Sequence, residues 1–329
     1  MYGMRIPKSI CLAILLVAIF DITLAFAASA RTIDFRFPSD ETYGQLYDDA
    51  YIDSGLSRIE VMRKRLGAAK GTYRVTLPDN HRVVFEPNHR LYINPAKLAQ
   101  FGPNGIEIVR ITFIPMEDKE NDYALNLCKN MHYLKFVQEL KFNGSEIGDR
   151  EVAALGPFAN LSSLALSRTN VSGSVSKALG RLTTLNNIEI GETFLHPIDF
   201  APMAALKSLR LLQLSSSNVN SDDLKNIAML KSLLELRIDG TNVDDRGIKY
   251  LEPLTNLRSL YLGNTKVTLK GLRVLKGRQL IRLNLPVHLD NKADRAILAQ
   301  YFPGTSLVFE KKPKKKADSD INEMFRPLH

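Results

Sequence analysis

Between residues 137 and 285 the apolar positions recur with a long, fixed period. Leu140, Leu164, Ile188, Leu212, Leu236 and Leu260 stand 24 residues apart, and Leu283 follows after 23. Two residues beyond each anchor is another apolar side chain: Phe142, Leu166, Ile190, Leu214, Ile238, Leu262 and Leu285. Three residues before each stands Val137, Leu161, Leu185, Leu209, Leu233, Leu257 or Leu280, so every unit opens L-x-x-L-x-L. Five residues after the anchor comes a hydroxyl (Ser145, Thr169, Thr193, Ser217, Thr241, Thr265), and two further on an aliphatic residue such as Ile147, Val219 or Val267. Later apolar positions, such as Leu224, Ile227 and Leu230 or Ile248, Leu251 and Leu254, are three apart. The period therefore switches from two to about three inside each unit, which predicts a short strand, a turn and a helical or 3-10 return. Asp149, Ser221 and Asp244 fall where a cap for the return is expected.

One such unit cannot bury its own strand, so neighbours must stack into a solenoid. Seven parallel strands about 4.8 Å apart give a curved sheet roughly 30 Å along the array. The L-x-x-L-x-L register over Val137–Leu285 resembles the leucine-rich-repeat family, in the short form found in many secreted bacterial proteins. The resemblance implies an α/β fold: a right-handed solenoid with a parallel β-sheet on the concave face and helical or 3-10 returns on the convex face. Where that family commonly carries Asn at the turn, this chain carries Ser or Thr, and a hydroxyl also satisfies local backbone groups. The same stacking is expected, with a slightly different turn.

Both ends of a solenoid need covers. After the repeats of residues 137–288, a helix over Leu289–Phe302, the turn Pro303-Gly304 and a strand at Ser306–Phe309 make a C-terminal cap, residues 289–309. Residues 106–136 read as an N-terminal cap or divergent repeat, with a strand at Ile106–Phe113 and a helix at Asn121–Phe136. Residues 31–105 read as a small α+β module. Its expected elements are a strand at Thr32–Phe37, a helix at Ser54–Arg65, a hairpin of Thr72–Leu77 and Arg82–Glu86 about Pro78–His81, and a third strand at Leu91–Asn94.

The termini carry addresses rather than fold. Arg5 and Lys8 precede the unbroken apolar run Ser9–Phe20, and Ala25-x-Ala27 and Ala28-x-Ala30 follow. Residues 1–30 therefore read as a signal peptide, with a membrane anchor formed by residues 9–28 as the alternative. The chain is expected to be exported: secreted, periplasmic or at the cell surface. Residues 310–329 read as a basic disordered tail, in which Lys311, Lys312, Lys314, Lys315 and Lys316 could meet an anionic envelope surface.

Composition narrows the chemistry. With 45% apolar and 24% charged residues the chain is ordinarily globular, and its net charge of +9 is not concentrated enough to mark a nucleic-acid domain. Cys11 and Cys128 cannot build a disulfide framework. Cys128 lies in an amphipathic helical pattern and reads as a buried small hydrophobe. No nucleophile elbow, P-loop, zinc-protease or C-x-x-C motif occurs. His81 and His89 flank one predicted strand and read as solvated rather than as a metal pair. His196 and His288 sit at turns, and Asp222-Asp223 and Asp244-Asp245 where returns begin, which capping explains better than catalysis. No cofactor or metal is expected, and the chain is not read as an enzyme.

What remains is surface. Residues flanking each anchor alternate out of the concave sheet. The C-terminal half carries the richer set: Leu211 as an exposed apolar residue, with Gln213, Glu235, Arg237, Tyr261 and Arg282. Tyr and Arg dominate interface energetics, so these residues predict a non-catalytic protein–protein interaction module with a protein partner. Two other readings stay open at this point. One is a structural cell-envelope component held by the N-terminal segment and basic tail; the other is an enzyme with a site in residues 31–136.

Overall fold

The computed structural model describes residues 29–53, 58–102, 105–111 and 122–309. The export segment (apart from Ser29 and Ala30), the basic tail with its five lysines, and the ends of the expected strand at Ile106–Phe113 and helix at Asn121–Phe136 thus lie outside the described residues. The strands in chain order are β1 (Ala30–Arg36), β2 (Gly44–Asp53), β3 (Arg58–Ala68), β4 (Thr72–Pro78), β5 (His81–Pro87), β6 (Ile108–Arg110), β7 (Glu139–Lys141), β8 (Ser163–Ala165), β9 (Asn187–Glu189), β10 (Leu211–Gln213), β11 (Glu235–Arg237), β12 (Ser259–Tyr261), β13 (Arg282–Leu285) and β14 (Ser306–Phe309). Among the described residues, twelve of them form one sheet in the order β14 back to β5, then β2 and β3; β1 and β4 pair separately. From β5 to β14 every neighbour is parallel. The fold is the expected solenoid of parallel strands with helical and 3-10 returns, such as Asp149–Ala154, Asp223–Met229 and Asp245–Lys249.

The anchors explain this arrangement. Leu140, Leu164, Ile188, Leu212, Leu236, Leu260 and Leu283 are cross-strand partners of one another in sequence. The column runs on past the repeats, through Val109 and Phe85 to Leu46. No member is more than 1% exposed, and each such side chain contributes about 1.5–3 kcal/mol by leaving water. Backbone bonds lock the same register: the amide two residues after one anchor donates to the carbonyl one residue after the next, as in Ile190 N to Gln213 O at 2.8 Å and Leu214 N to Arg237 O at 2.8 Å.

Each strand leaves through one turn geometry. The residue four after the anchor is left-handed in every unit from the first to the sixth: Gly144, Arg168, Glu192, Ser216, Gly240 and Asn264. The next residue is the hydroxyl, which from the second unit to the sixth donates back to the carbonyl three residues earlier, while Ser145 Oγ in the first unit has no partner among the described residues. Thr169 Oγ1 to Leu166 O is 2.6 Å, Thr193 to Ile190 is 2.8 Å, and Ser217 Oγ to Leu214 O is 2.6 Å. The hydroxyl thus closes its own turn, whereas strand stacking is left to the backbone.

The cap positions behave differently from the sequence reading. Asp244 is an N-cap, accepting from Arg246 N, and the hydrogen bond from Ser221 Oγ at 2.6 Å holds its carboxyl below the usual range. Ser221 caps nothing itself; it bridges to the neighbouring repeat. Asp149 also reaches across, accepting from Ser172 N at 2.9 Å, while Gly148 holds the cap position. Asp245 does the same to Thr268 N at 2.7 Å. These carboxylates staple the returns of adjacent units beyond the named strands, beside the isolated parallel bridges Gly148–Asn170 and Asp244–Lys266.

Three expectations for residues 31–105 are overturned. The segment expected as a helix at Ser54–Arg65 is described from Arg58 onward, and it is strand β3, antiparallel to β2. Its alternating Ile59 and Val61 suit a strand, and pairing outweighs the helical preference of its Arg, Lys and Met. Leu91–Asn94 is no strand: His89–Ile93 is a short helix capped by the Asn88 side chain, which accepts from Leu91 N. Thr72–Leu77 and Arg82–Glu86 are strands joined by a turn, but not a paired hairpin. β4 pairs with β1 and β5 with β2, so the chain changes sheets at Asp79-Asn80. Both strands bury apolar residues in the one core, Leu77 from β4 and Val83 and Phe85 from β5.

Two outcomes follow from this geometry. Leu236→Ala, at 0% exposure in mid-column, should lose about 2–5 kcal/mol in equilibrium urea unfolding, since the gap cannot close without moving its neighbours. Gly240 has φ +68°, and a Cβ there would lie 2.9 Å from Ser216 Oγ. Gly240→Ala should therefore cost about 1–2 kcal/mol in the same measurement.

Candidate protein-binding face

Residues on either side of each anchor point away from the buried column and form the open strand face. Between Arg82 and Arg237 this face is a trough of about 700 Å³, which gives it concave form. Its lining is polar: Glu139, Lys141, Asn187, Glu189, Arg210 and Gln213 are representative. The polar side chains brace one another along and between strands. Lys141 Nζ is 3.5 Å from Glu139 Oε1, and Asn187 Nδ2 lies 3.2 Å from Ser163 Oγ and 3.3 Å from Glu189 Oε1. The Gln213 side chain packs against Gly191, just beyond β9; a Cβ at residue 191 would meet Gln213 Nε2 at 2.6 Å.

The face continues into the N-terminal strands. Arg110 is the register partner of Lys141, and its guanidinium meets Asp49 at 3.2 Å and Glu86 at 3.7 Å. Arg63 joins the same carboxylates, at 2.6 Å from Glu86 and 4.0 Å from Asp49, and lies 3.8 Å from the Tyr47 ring centroid. Burial works against the Arg63 cation, but the Glu86 hydrogen bond and nearby carboxylates outweigh it, so its pKa is raised. At the trough's end buried Glu107 binds Arg31, accepts from Val83 N at 3.1 Å and lies 3.6 Å from Arg82. That hydrogen bond is the main reason the Arg31 pKa is also raised.

At the other end, Tyr261 stands between two cations. Arg237 Cζ is 4.8 Å from its ring centroid and Arg282 Cζ is 5.6 Å. Arg237 Nε donates to Glu235 Oε1 at 2.5 Å. Several buried polar atoms of this face have no partner among the described residues: Asn187 Oδ1, Gln213 Oε1, Ser259 Oγ and Asn284 Oδ1.

The six residues singled out in the sequence occupy the face unequally. Leu211, Gln213, Glu235 and Arg237 line the trough, whereas Tyr261 and Arg282 lie beyond it. Leu211 is not the exposed residue expected: it is 7% exposed, and Glu235 is only 2% exposed. Strand neighbours only about 4.8 Å away cover the position before each anchor. Sequence reasoning missed the whole N-terminal extension of the face, with Asp49, Arg63, Glu86, Glu107 and Arg110. Arg110 and Glu107 flank the apolar Ile108 and Val109 and could have been aligned with the repeats. The adjacent Asp48-Asp49 instead disguises β2 as a loop.

Other candidate groups are accounted for locally. His81 Nδ1 lies 2.8 Å from Asp48, and His89 follows the far end of β5, so strand length alone separates the two by about 20 Å. His196 Nδ1 lies 2.9 Å from Asp223, and His288 Nε2 lies 2.9 Å from Val267 O. Asp223 also accepts from Ile198 N and Asn220 N, so it ties a turn together. Cys128 is fully buried. Among the described residues no three His, Cys, Asp or Glu gather as metal ligands would, and no helix is long and apolar enough to cross a membrane.

No protein-family model matches the chain, and no curated protein matches it. Solved structures are similar to parts of this chain at low identity. Internalin C2 of Listeria monocytogenes is 21% identical, with 54% of this chain and 78% of that one covered and a TM-score of 0.36. A second internalin of that organism is 15% identical over 64% of this chain and 55% of its own, at TM-score 0.38. A TDR receptor is 18% identical over 56% of this chain and 30% of its own, at TM-score 0.37.

Proposed function

We propose that the chain is an exported, non-catalytic module that binds a protein partner on its concave strand face, with Leu211, Gln213, Glu235, Arg237, Tyr261 and Arg282 contributing to the contact. The observation that carries this reading is the set of buried polar atoms without a partner among the described residues on four strands of one face, β9, β10, β12 and β13. A buried polar group without a partner costs about 1–3 kcal/mol, so a ligand whose docking shifts the side chains covering these atoms and supplies the missing hydrogen bonds regains stability that folding alone leaves unclaimed. The neighbouring charged groups are braced along and between strands, so little side-chain entropy remains to be lost on association. Export rests on the basic-apolar-small pattern of residues 1–30.

The test is affinity capture from the exported fraction with the full chain, a Glu189→Trp variant that obstructs the trough, and an Arg246→Glu variant on the convex side. Arg246 is 73% exposed and distant from the strand face. Partner proteins held by the wild type should be lost with Glu189→Trp and kept with Arg246→Glu, all three showing the same unfolding midpoint. Identical capture by all three would contradict concave-face binding. Retention on membranes or wall that salt releases would favour the basic tail instead.

A further inference from the structure

Resting on the concave-face reading, we propose that the Arg237–Tyr261–Arg282 stack is where an acidic segment of the partner docks, its Asp or Glu carboxylate accepting from the guanidinium groups. The stack is built across three strands. Tyr261 is the register partner of Arg237 on β11, and Arg282 comes from β13 on the other side, paired with Ser259. The ring thereby holds both cations in place, at 4.8 and 5.6 Å from its centroid. Such stacking suits arginine, whose planar fork still presents paired donors to a carboxylate.

The charges do not balance. Glu235 takes up Nε of Arg237, which leaves the terminal nitrogens of that guanidinium without a hydrogen bond among the described residues. Arg282 is exposed and has no carboxylate within ion-pair distance among the described residues. One buried acid therefore answers two cations, whereas in the N-terminal half of the face Asp49 and Glu86 answer Arg63 and Arg110 two for two.

A second observation points to the same ligand. Ser259, only 1% exposed, lies between Glu235 and Arg282 in register, and its Oγ has no partner among the described residues. That hydroxyl is covered in the free chain and becomes a donor to a carboxylate bound by Arg282 when docking shifts the side chains over it. The chain's own tail is a poorer fit, because its acids Asp318, Asp320 and Glu323 follow five lysines, Lys311, Lys312, Lys314, Lys315 and Lys316, which leave it with the same net sign as the stack. A sugar is disfavoured, because the one aromatic ring is already flanked by guanidinium groups.

Fluorescence anisotropy with a labelled, C-terminally amidated deca-glutamate peptide and the full chain tests this. Saturable, salt-sensitive binding is expected, weakened about tenfold or more by Arg282→Gln and by Tyr261→Ala, each removing a preorganised charge-assisted contact. Tyr261→Phe, which keeps the ring, and Arg246→Gln, which removes an exposed convex cation, should each stay within about twofold of wild type. Equal weakening by Arg246→Gln would reduce the effect to net charge and overturn the assignment. So would unchanged binding by Arg282→Gln, absence of binding, or inorganic phosphate displacing the peptide better than acetate at equal ionic strength. If deca-glutamate fails to bind while capture still depends on Glu189→Trp, the acidic assignment falls and the concave-face reading stands. If capture is also indifferent to Glu189→Trp, both fall.

Discussion

The 24 residues around Leu236 cannot by themselves bury it on both sides; Leu212 on one side and Leu260 on the other flank it in register, and it is 0% exposed. The same holds for every member of the anchor column, and much of the molecule follows from it. Because each anchor needs its neighbours, strands must align in parallel and in register, and returns must be short enough to bring the chain back after 24 residues. The left-handed turn at Arg168, Glu192 and Ser216 is a local cost tolerated for that register. The carboxylate staples at Asp149 and Asp245 hold the return side, where no strand ladder operates.

The column also explains the N-terminal strands. A first repeat with an uncovered anchor would expose apolar surface, and Val109, Phe85 and Leu46 extend the column to supply that cover. On the opposite face the same strands bring in charged residues, and burying them is tolerated because each acid meets a cation: Asp49 with Arg110, Glu86 with Arg63, Glu107 with Arg31. The strand that covers the core thus lengthens the concave face. At the far end β14 closes the sheet through Leu307 against Leu283.

The repeats were legible because their signal is periodic and multiplied: a hydroxyl or a leucine at one position is weak, but the same choice in successive units fixes strand, turn and return. The N-terminal strands were not, because each occurs once and long-range pairing decides it. β3 carries Arg63, Lys64 and Arg65 in a run that favours helix locally, and it is a strand only because β2 lies beside it. β2 itself hides behind Asp48 and Asp49, whose burial depends on His81, Arg63 and Arg110 elsewhere in the chain. On the site, alternation correctly placed Gln213, Arg237 and Tyr261 on the open face. Alternation cannot report how closely neighbours crowd a position, which is why Leu211 proved covered and why the pairing of Arg237 with Glu235 became visible only in three dimensions.

One continuous sheet, from β2 to β13, forms a single buried column and a single open face. Hydrogen exchange of the full chain, followed by peptide mass spectrometry, tests it directly. The slowest-exchanging amides should run without a break from β2 and β5 through β6 into the repeats, with a common response to added denaturant. Exchange of residues 44–87 as a separate, less protected unit, losing protection while β7–β12 keep theirs, would contradict it.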